Sequence, residues 1–438
     1  MKRNMWRSAV VALVALVAGV WQGADVQGQV SVPGLDRPVV VHSGRITGNE
    51  SWAANTYHVL RGVVIVEAGA TLTVQAGTTV VGELATIGTL LVLKGGRLNA
   101  VGTPTAPIVF TSDQPIGQRA RGDWGGVIIN GNAPVNLPGG VGIGEGDTGV
   151  YGGSDPDDNS GILRYMRVEY AGIEFSPDNE LNGIAFQAVG RGTTVDHIQV
   201  KHNKDDCVEF FGGTVDVKYL IVSSCGDDSI DWTFGWTGRV QFAVVHQSGD
   251  DADNGIEADN NANNNDLLPR SAPTIYNITL VGDPDTLEGN ESDDGMEIRE
   301  GTAGIIRNFI VTGFKENGID YSNNATLAQA AAGTLSLTNG IVFGNGLLTG
   351  TANFDSNSRP ILTAVPSIVV ANPGLIDPFN IDAPNYRPSG VATLAGGQLA
   401  PALPPNDGFF EPVTFIGGLS PNPALDWTRE GWTNFDRR

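Results

Sequence analysis

Acidic residues recur in this sequence at a spacing that would gather them in space. Asp206-Cys207-Val208-Glu209 is followed 22 residues later by Asp228-Ser229-Ile230-Asp231, and Asn254-Gly255-Ile256-Glu257 comes 26 residues after that. Asp294-Gly295-Met296-Glu297 and Asn317-Gly318-Ile319-Asp320 stand 23 apart. The shared pattern is Asp or Asn, a variable residue, an aliphatic or Met, then an acid. If each copy occupies one rung of a stacked structure, Glu209, Asp231, Glu257, Glu297 and Asp320 form a column with about 4.8 Å between rungs. Bare carboxylates at that distance raise one another's pKa, so something must neutralise them. Ca²⁺ suits the task, being hard, oxygen-seeking and tolerant of irregular geometry. Asp206, Asp228, Asp251, Asp253 and Asp294 lie on the flanking turns and extend the ligand set.

Two other readings of the same residues stay open. The column is a solvated acidic face paired with Lys201, Lys204 or Arg299, or it holds a catalytic carboxylate pair. In the catalytic reading Asp205, Asp206 and Asp228 are the acids, His202 is the nearby base and Arg299 holds an anionic substrate. A second candidate cation loop is Asp155-Pro156-Asp157-Asp158-Asn159-Ser160-Gly161, where Asp155, Asp157 and Asn159 place oxygens at alternate positions before a Gly. It is equally an Asx-rich turn. Trp232, Phe234, Trp236, Phe210 and Phe211 cluster beside the column, as a sugar-stacking strip or as core.

The elements that would position these groups are strands. With 59 Gly and 24 Pro in 438 residues and only 17% charged residues, the composition excludes a helical protein. Short β-branched runs recur between turn residues, as at Val63–Val66, Thr71–Val74, Leu90–Leu93, Ile108–Thr111 and Gly126–Ile129. A repeat of 22–26 residues fits one coil of a parallel β-helix, with the aliphatic of each motif inward and each motif Gly or Asn supplying a positive φ at the corner. The 40 residues from Asn254 to Asp294 exceed one such coil and hold turn insertions and a further strand, Ile275–Val281. The fold expected is all-β: a right-handed parallel β-helix of about 12 coils over residues 58–350, at about 4.8 Å per coil. Residues 29–57 are expected as an N-terminal cap. Residues 351–438, rich in Pro and ending in Trp427–Trp432, are expected as an extended segment along the rod with an aromatic C-terminal cap.

Three stretches carry a resemblance: Asp123-Trp124-Gly125-Gly126, Tyr151-Gly152-Gly153-Ser154-Asp155, and Ile162-Leu163-Arg164-Tyr165-Met166-Arg167-Val168-Glu169-Tyr170-Ala171-Gly172. The chain resembles secreted, pectate-lyase-like right-handed parallel β-helix proteins of Gram-negative bacteria, which implies the fold and export but no activity. A weaker similarity to polygalacturonases lies in Asn203-Lys204-Asp205-Asp206-Cys207 and Met296-Glu297-Ile298-Arg299. It implies hydrolysis of an acidic polysaccharide at Asp205, Asp206 and Asp228.

Compartment and partners follow from charge. Lys2, Arg3 and Arg7 precede an apolar run from Ala9 to Val20, so residues 1–28 read as a secretory signal peptide. Twelve apolar residues are too few to span a bilayer, and no transmembrane segment is expected. A net charge of −22 argues against nucleic acid and for divalent cations as partners. Export permits a disulfide between Cys207 and Cys225, the only cysteines. The functional expectation is an exported, non-catalytic, Ca²⁺-stabilised solenoid at the cell surface, binding surface polysaccharide or assembling with itself. The competing expectation is a lyase or hydrolase of acidic polysaccharide.

Overall fold

The computed structural model describes residues 29–30, 37–176, 179–250, 252–285, 291–346, 352–390, 393–394 and 397–436. Residues 1–28, expected as a signal peptide, and Asp251 lie outside them. Among the described residues, 24 strands join by hydrogen bonds into one continuous sheet wound as a parallel β-helix. Apart from Gln29–Val30, which runs antiparallel to Val39–Val40, its ladders are parallel. Valine, isoleucine and leucine from successive coils fill a single interior column, with Val64, Leu90, Val127 and Ile184 stacked in one buried ladder. Stacking of this kind buries apolar side chains on every rung without a separate core for each.

The boundaries differ from expectation at both ends. Val39–Ile46 already pairs parallel with Tyr57–Val66, so the coiling begins inside the segment read as a cap. At the other end Ile368–Val370 pairs parallel with Gly340–Val342, which extends the rod past residue 350. The 40 residues between Asn254 and Asp294 form one coil after all, because Glu257 pairs directly with Glu297. Insertions on both sides of Thr274–Val281 widen that coil without breaking the stack. A nine-residue helix, Asn324–Ala332, also emerges where no helix was expected; Asn323 caps it by accepting the Thr326 amide. Its run of alanines has high helix propensity but weak amphipathic periodicity.

The motif glycines act by size rather than by φ. A Cβ on Gly183 would sit 2.6 Å from the Cys207 carbonyl oxygen, one on Gly255 2.7 Å from that of Gly295, and one on Gly295 2.5 Å from that of Gly318. Each coil therefore presses its backbone against the next at this turn. Positive φ values fall elsewhere, among them on a ladder that stacks in register across seven coils: Tyr165, His197, Tyr219, Phe242, Asn277, Asn308 and Asn339, at φ between 48° and 62°. Left-handed backbone costs a non-glycine residue about 1–3 kcal/mol, and side-chain contacts offset it here. His197 stacks between Tyr165 and Tyr219 with ring centroids 4.3 and 4.2 Å away. The three asparagines instead bond the C-terminal segment: Asn308 exchanges two hydrogen bonds with Ala402, Asn277 donates to Phe415 O and Gly417 O, and Asn339 donates to Ala400 O.

That segment runs back along the rod. Gln241 pairs through both amide atoms with Glu411, and Gln199 does the same with Asn434. Trp427 and Trp432 pack edge-on against Tyr219, His197 and Tyr165. These tryptophans cover the flank of early coils rather than capping an end, because the apolar surface they need is the aromatic ladder. Of the aromatics beside the acid column, Phe210, Trp232 and Trp236 are core, at 0%, 1% and 0% exposed. Phe210 stacks on Phe186 and Trp236, so no sugar-stacking strip forms from them.

Candidate metal centre

The acid column exists in register. Ala185 pairs with Glu209, Glu209 with Asp231, Asp231 with Glu257, Glu257 with Glu297 and Glu297 with Asp320. Strand alternation sets this: the flanking Val208 and Phe210, or Ile230 and Trp232, point inward, so the acid between them points out. Outward does not mean solvated, however. Glu209 and Asp231 are only 7% and 8% exposed. Two hairpins fold over this face, Gly142–Ile143 with Val150–Tyr151 and Ile173–Ser176 with Asn179–Leu181. They are joined by a hydrogen bond from Gly146 N to Asn179 Oδ1 at 2.7 Å. Tyr151 and Leu181 from these hairpins pack with Ala185 and Phe211 in a small apolar cluster.

A second column lies three residues earlier on each rung and is structural. Asp206 Oδ1 accepts the Asp228 amide at 3.0 Å, Asp228 Oδ1 the Asn254 amide at 2.7 Å, and Asp294 Oδ1 the Asn317 amide at 2.6 Å. Each carboxylate thereby satisfies an amide of the next coil.

Three groups of acids have ligand oxygens within 4.8 Å of one another: Asp205 with Asp206 and Asp227, Asp206 with Glu209 and Asp231, where the two columns meet, and Asp227 with Asp228 and Asp253. The middle group is buried throughout. Asn182 joins it, donating through Nδ2 to Glu209 Oε2 at 2.6 Å; its own Oδ1 and Asp231 Oδ1 are buried with no fixed donor, and Glu209 and Asp231 face each other within hydrogen-bond reach. No lysine or arginine pairs with Asp206, Glu209 or Asp231 among the described residues. Burial, reinforced by neighbouring acids, pushes all these carboxyls up: Asp206 and Glu209 well above the usual range, Asp231 to about 7 and Asp205 to about 8. The donor set is all oxygen, crowded and short of positive charge, which fits a hard divalent cation.

Lower on the column the protein supplies its own cation. Arg299 pairs with Glu257, with Asp259 through Nε at 2.9 Å, and with Glu297 through Nη1 at 3.3 Å. Asp320 lies one rung further, where Ser322 donates to Glu297 Oε1 at 3.0 Å. Among the described residues, the column is thus ion-paired to a guanidinium at Glu257 and Glu297, whereas Asp231 feels that charge only at a distance.

The remaining candidates separate from this centre. Asp155 Oδ1 accepts the Asp157 amide and Asn159 Oδ1 the Gly161 amide, and Asp157 pairs with Arg191, so the loop's oxygens serve its own turn. His202 stacks on Tyr170. Asp205, Asp206 and Asp228 lie near one another, but Arg299 is held with Glu257, Asp259 and Glu297 on later coils. Sequence reasoning missed Asn182, Asp259 and Tyr151 as members of this face. Asp259 was legible, since it follows Glu257 by two residues and so shares its side of the strand. Tyr151 arrives by a hairpin whose docking no local pattern reveals.

Cys207 and Cys225 are joined in a disulfide, with Cα atoms 5.5 Å apart and both residues fully buried. Cys207 occupies the motif position held by Gly183, Gly255, Gly295 and Gly318 on other coils and by Ser229 on the next, and its side chain turns into the interior to meet Cys225.

Residues 44–363 match the family described as the pectate-lyase like beta helix domain, and the chain belongs to that family of right-handed parallel β-helices. No curated protein and no solved structure matches it.

Proposed function

We propose that this protein is an exported, non-catalytic β-solenoid that serves at the cell surface in binding or assembly, with a Ca²⁺ ion held by Asp206, Glu209, Asp231 and Asn182. The observation that carries the reading is the buried middle group of the acid column, where Asp231 Oδ1 and Asn182 Oδ1 have no fixed donor. An ion there would neutralise carboxylates stacked across consecutive coils and tie the two covering hairpins to the sheet through Glu209. A polymer substrate has no comparable access, since Asp206, Glu209 and Asp231 are all at least nine-tenths buried. That favours a structural ion over a lyase or hydrolase site. Support for export comes from the basic and apolar N-terminal segment together with the buried disulfide, which an oxidising compartment preserves.

The test has two arms. After EDTA treatment, millimolar Ca²⁺ should raise the melting temperature more than Mg²⁺ does at equal ionic strength, because Mg²⁺ demands near-octahedral geometry. Incubation with polygalacturonate or alginate should release neither unsaturated product nor reducing ends. Turnover abolished by Asp206→Asn would replace this reading with an enzymatic one.

A further inference from the structure

The first two coils share a hydrogen-bonded array that the acid column does not explain. Glu50 Oε1 lies 3.2 Å from His42 Nδ1, His42 Nε2 lies 2.9 Å from His58 Nδ1, and His58 Nε2 lies 3.1 Å from the Ala53 carbonyl oxygen. The two imidazoles are 7% and 4% exposed and stack on Trp52, whose indole N–H donates to the same Glu50 oxygen at 2.7 Å. Donor and acceptor chemistry fixes the protons. The Ala53 carbonyl can only accept, so His58 Nε2 carries a hydrogen. Glu50 Oε1 accepts from Trp52 and is more acidic than imidazole, so His42 Nδ1 carries one too. A third proton must sit between His42 Nε2 and His58 Nδ1, since without it two lone pairs would face each other at 2.9 Å.

We propose that Glu50, His42 and His58 form an acid-released clamp that closes the N-terminal end of the rod. Its two imidazoles share three protons and one positive charge, balanced by the Glu50 carboxylate. A fourth proton would set N–H against N–H in the centre of the array, so the clamp must open to accept it. The residues sit on Val39–Ile46 and Glu50–Trp52 of the first coil and on Tyr57–Val66, which stacks in register on Val39–Ile46 from the second coil, so opening parts the first coil from the next. Of the other charged groups at this end, Arg37 points to the Ala54 carbonyl and the Tyr57 hydroxyl, and Arg45 and Arg61 pair with Glu67 and Glu83. Among the described residues Glu50 is the only anion that faces the pair. Burial, its largest cause, pushes the His58 imidazole down to about 4, in keeping with a ring that resists the fourth proton.

The experiment uses the full chain. Histidine ¹⁵N NMR at pH 6.5 should find three of the four ring nitrogens of His42 and His58 protonated. Hydrogen exchange, corrected for its intrinsic pH dependence, should show residues 39–66 opening on the order of a hundredfold more between pH 7 and pH 4, as an imidazole held near 4 against 6.5 in the open state requires. Residues 194–246 should not follow. His58→Gln keeps an acceptor for His42 and a donor for Ala53 but cannot titrate, so its first coil should lose the acid response. Two protonated nitrogens instead of three, or acid opening that persists in His58→Gln or spreads evenly along the rod, overturns the proposal. Should His58→Gln fail to fold, the nitrogen count in the natural protein decides alone.

Discussion

Asp231→Asn separates the two things the buried acid group does. The Asp231 carboxyl is 8% exposed, and burial, followed by the charge of Asp259, holds it at about 7 rather than the ordinary 3.8. A carboxyl whose pKa rises on folding stabilises the native state below its unfolded value, and that contribution is lost as pH climbs through its folded value. Without a cation the protein should therefore be more stable at pH 5 than at pH 8. A shift of about three units sets an upper bound of about 4 kcal/mol on the difference. A folded-state ligand at a hundredfold excess over its Kd returns about 2.7 kcal/mol. For a chain of this length, with an unfolding entropy of about 2 cal/mol/K per residue, that is a rise of roughly 3 °C. Asparagine at 231 removes the charge while keeping the shape. In EDTA at pH 8 the variant should melt higher than the natural protein, and Ca²⁺ should no longer move it. The assay is calorimetry at pH 5 and pH 8, in EDTA and in millimolar Ca²⁺. A variant that melts lower in EDTA at pH 8, or that keeps the full Ca²⁺ response, would refute the reasoning.

Arg299→Met should cost about 3–5 kcal/mol, because it strands Glu257, Asp259 and Glu297 beside one another. Added Ca²⁺ should recover part of that loss, whereas Arg299→Lys should need less rescue, both read by thermal melts. Reduction of the Cys207–Cys225 disulfide, which closes a sequence separation of 18 residues, should lower stability by about 3 kcal/mol in urea unfolding. Trp432→Ala should cost about 3–5 kcal/mol through the cavity it leaves and increase proteolysis of residues 397–436 first. If cleavage instead begins in the coils, the C-terminal segment is not held by this contact.

The motif Asp/Asn–x–aliphatic–acid carried a great deal of the fold by itself. Its spacing announced stacked coils, and the alternation of side chains along a strand placed Glu209, Asp231, Glu257, Glu297 and Asp320 on one face. Those are local properties: a two-residue period and a repeat length need no knowledge of distant chain. The widened coil between Glu257 and Glu297 hid its register, because insertions change sequence distance without changing the stack. The positive-φ ladder was hidden too, since Tyr165, His197, Tyr219 and Phe242 are not residues that favour left-handed backbone.

The sequence by itself determined that the acids stack, because covalent spacing and strand geometry leave no other arrangement for a repeat of this kind. Only the tertiary structure decided how much charge each acid must live with. Tyr151 and Leu181 reach the column's face on hairpins inserted between coils, and Trp427 and Trp432 return to cover the aromatic ladder. Arg299 compensates three carboxylates on its own and earlier coils, while Asp206, Glu209 and Asp231 are buried without an ion pair among the described residues. Desolvation depends on what lies above a side chain, and that neighbour comes from anywhere in the chain.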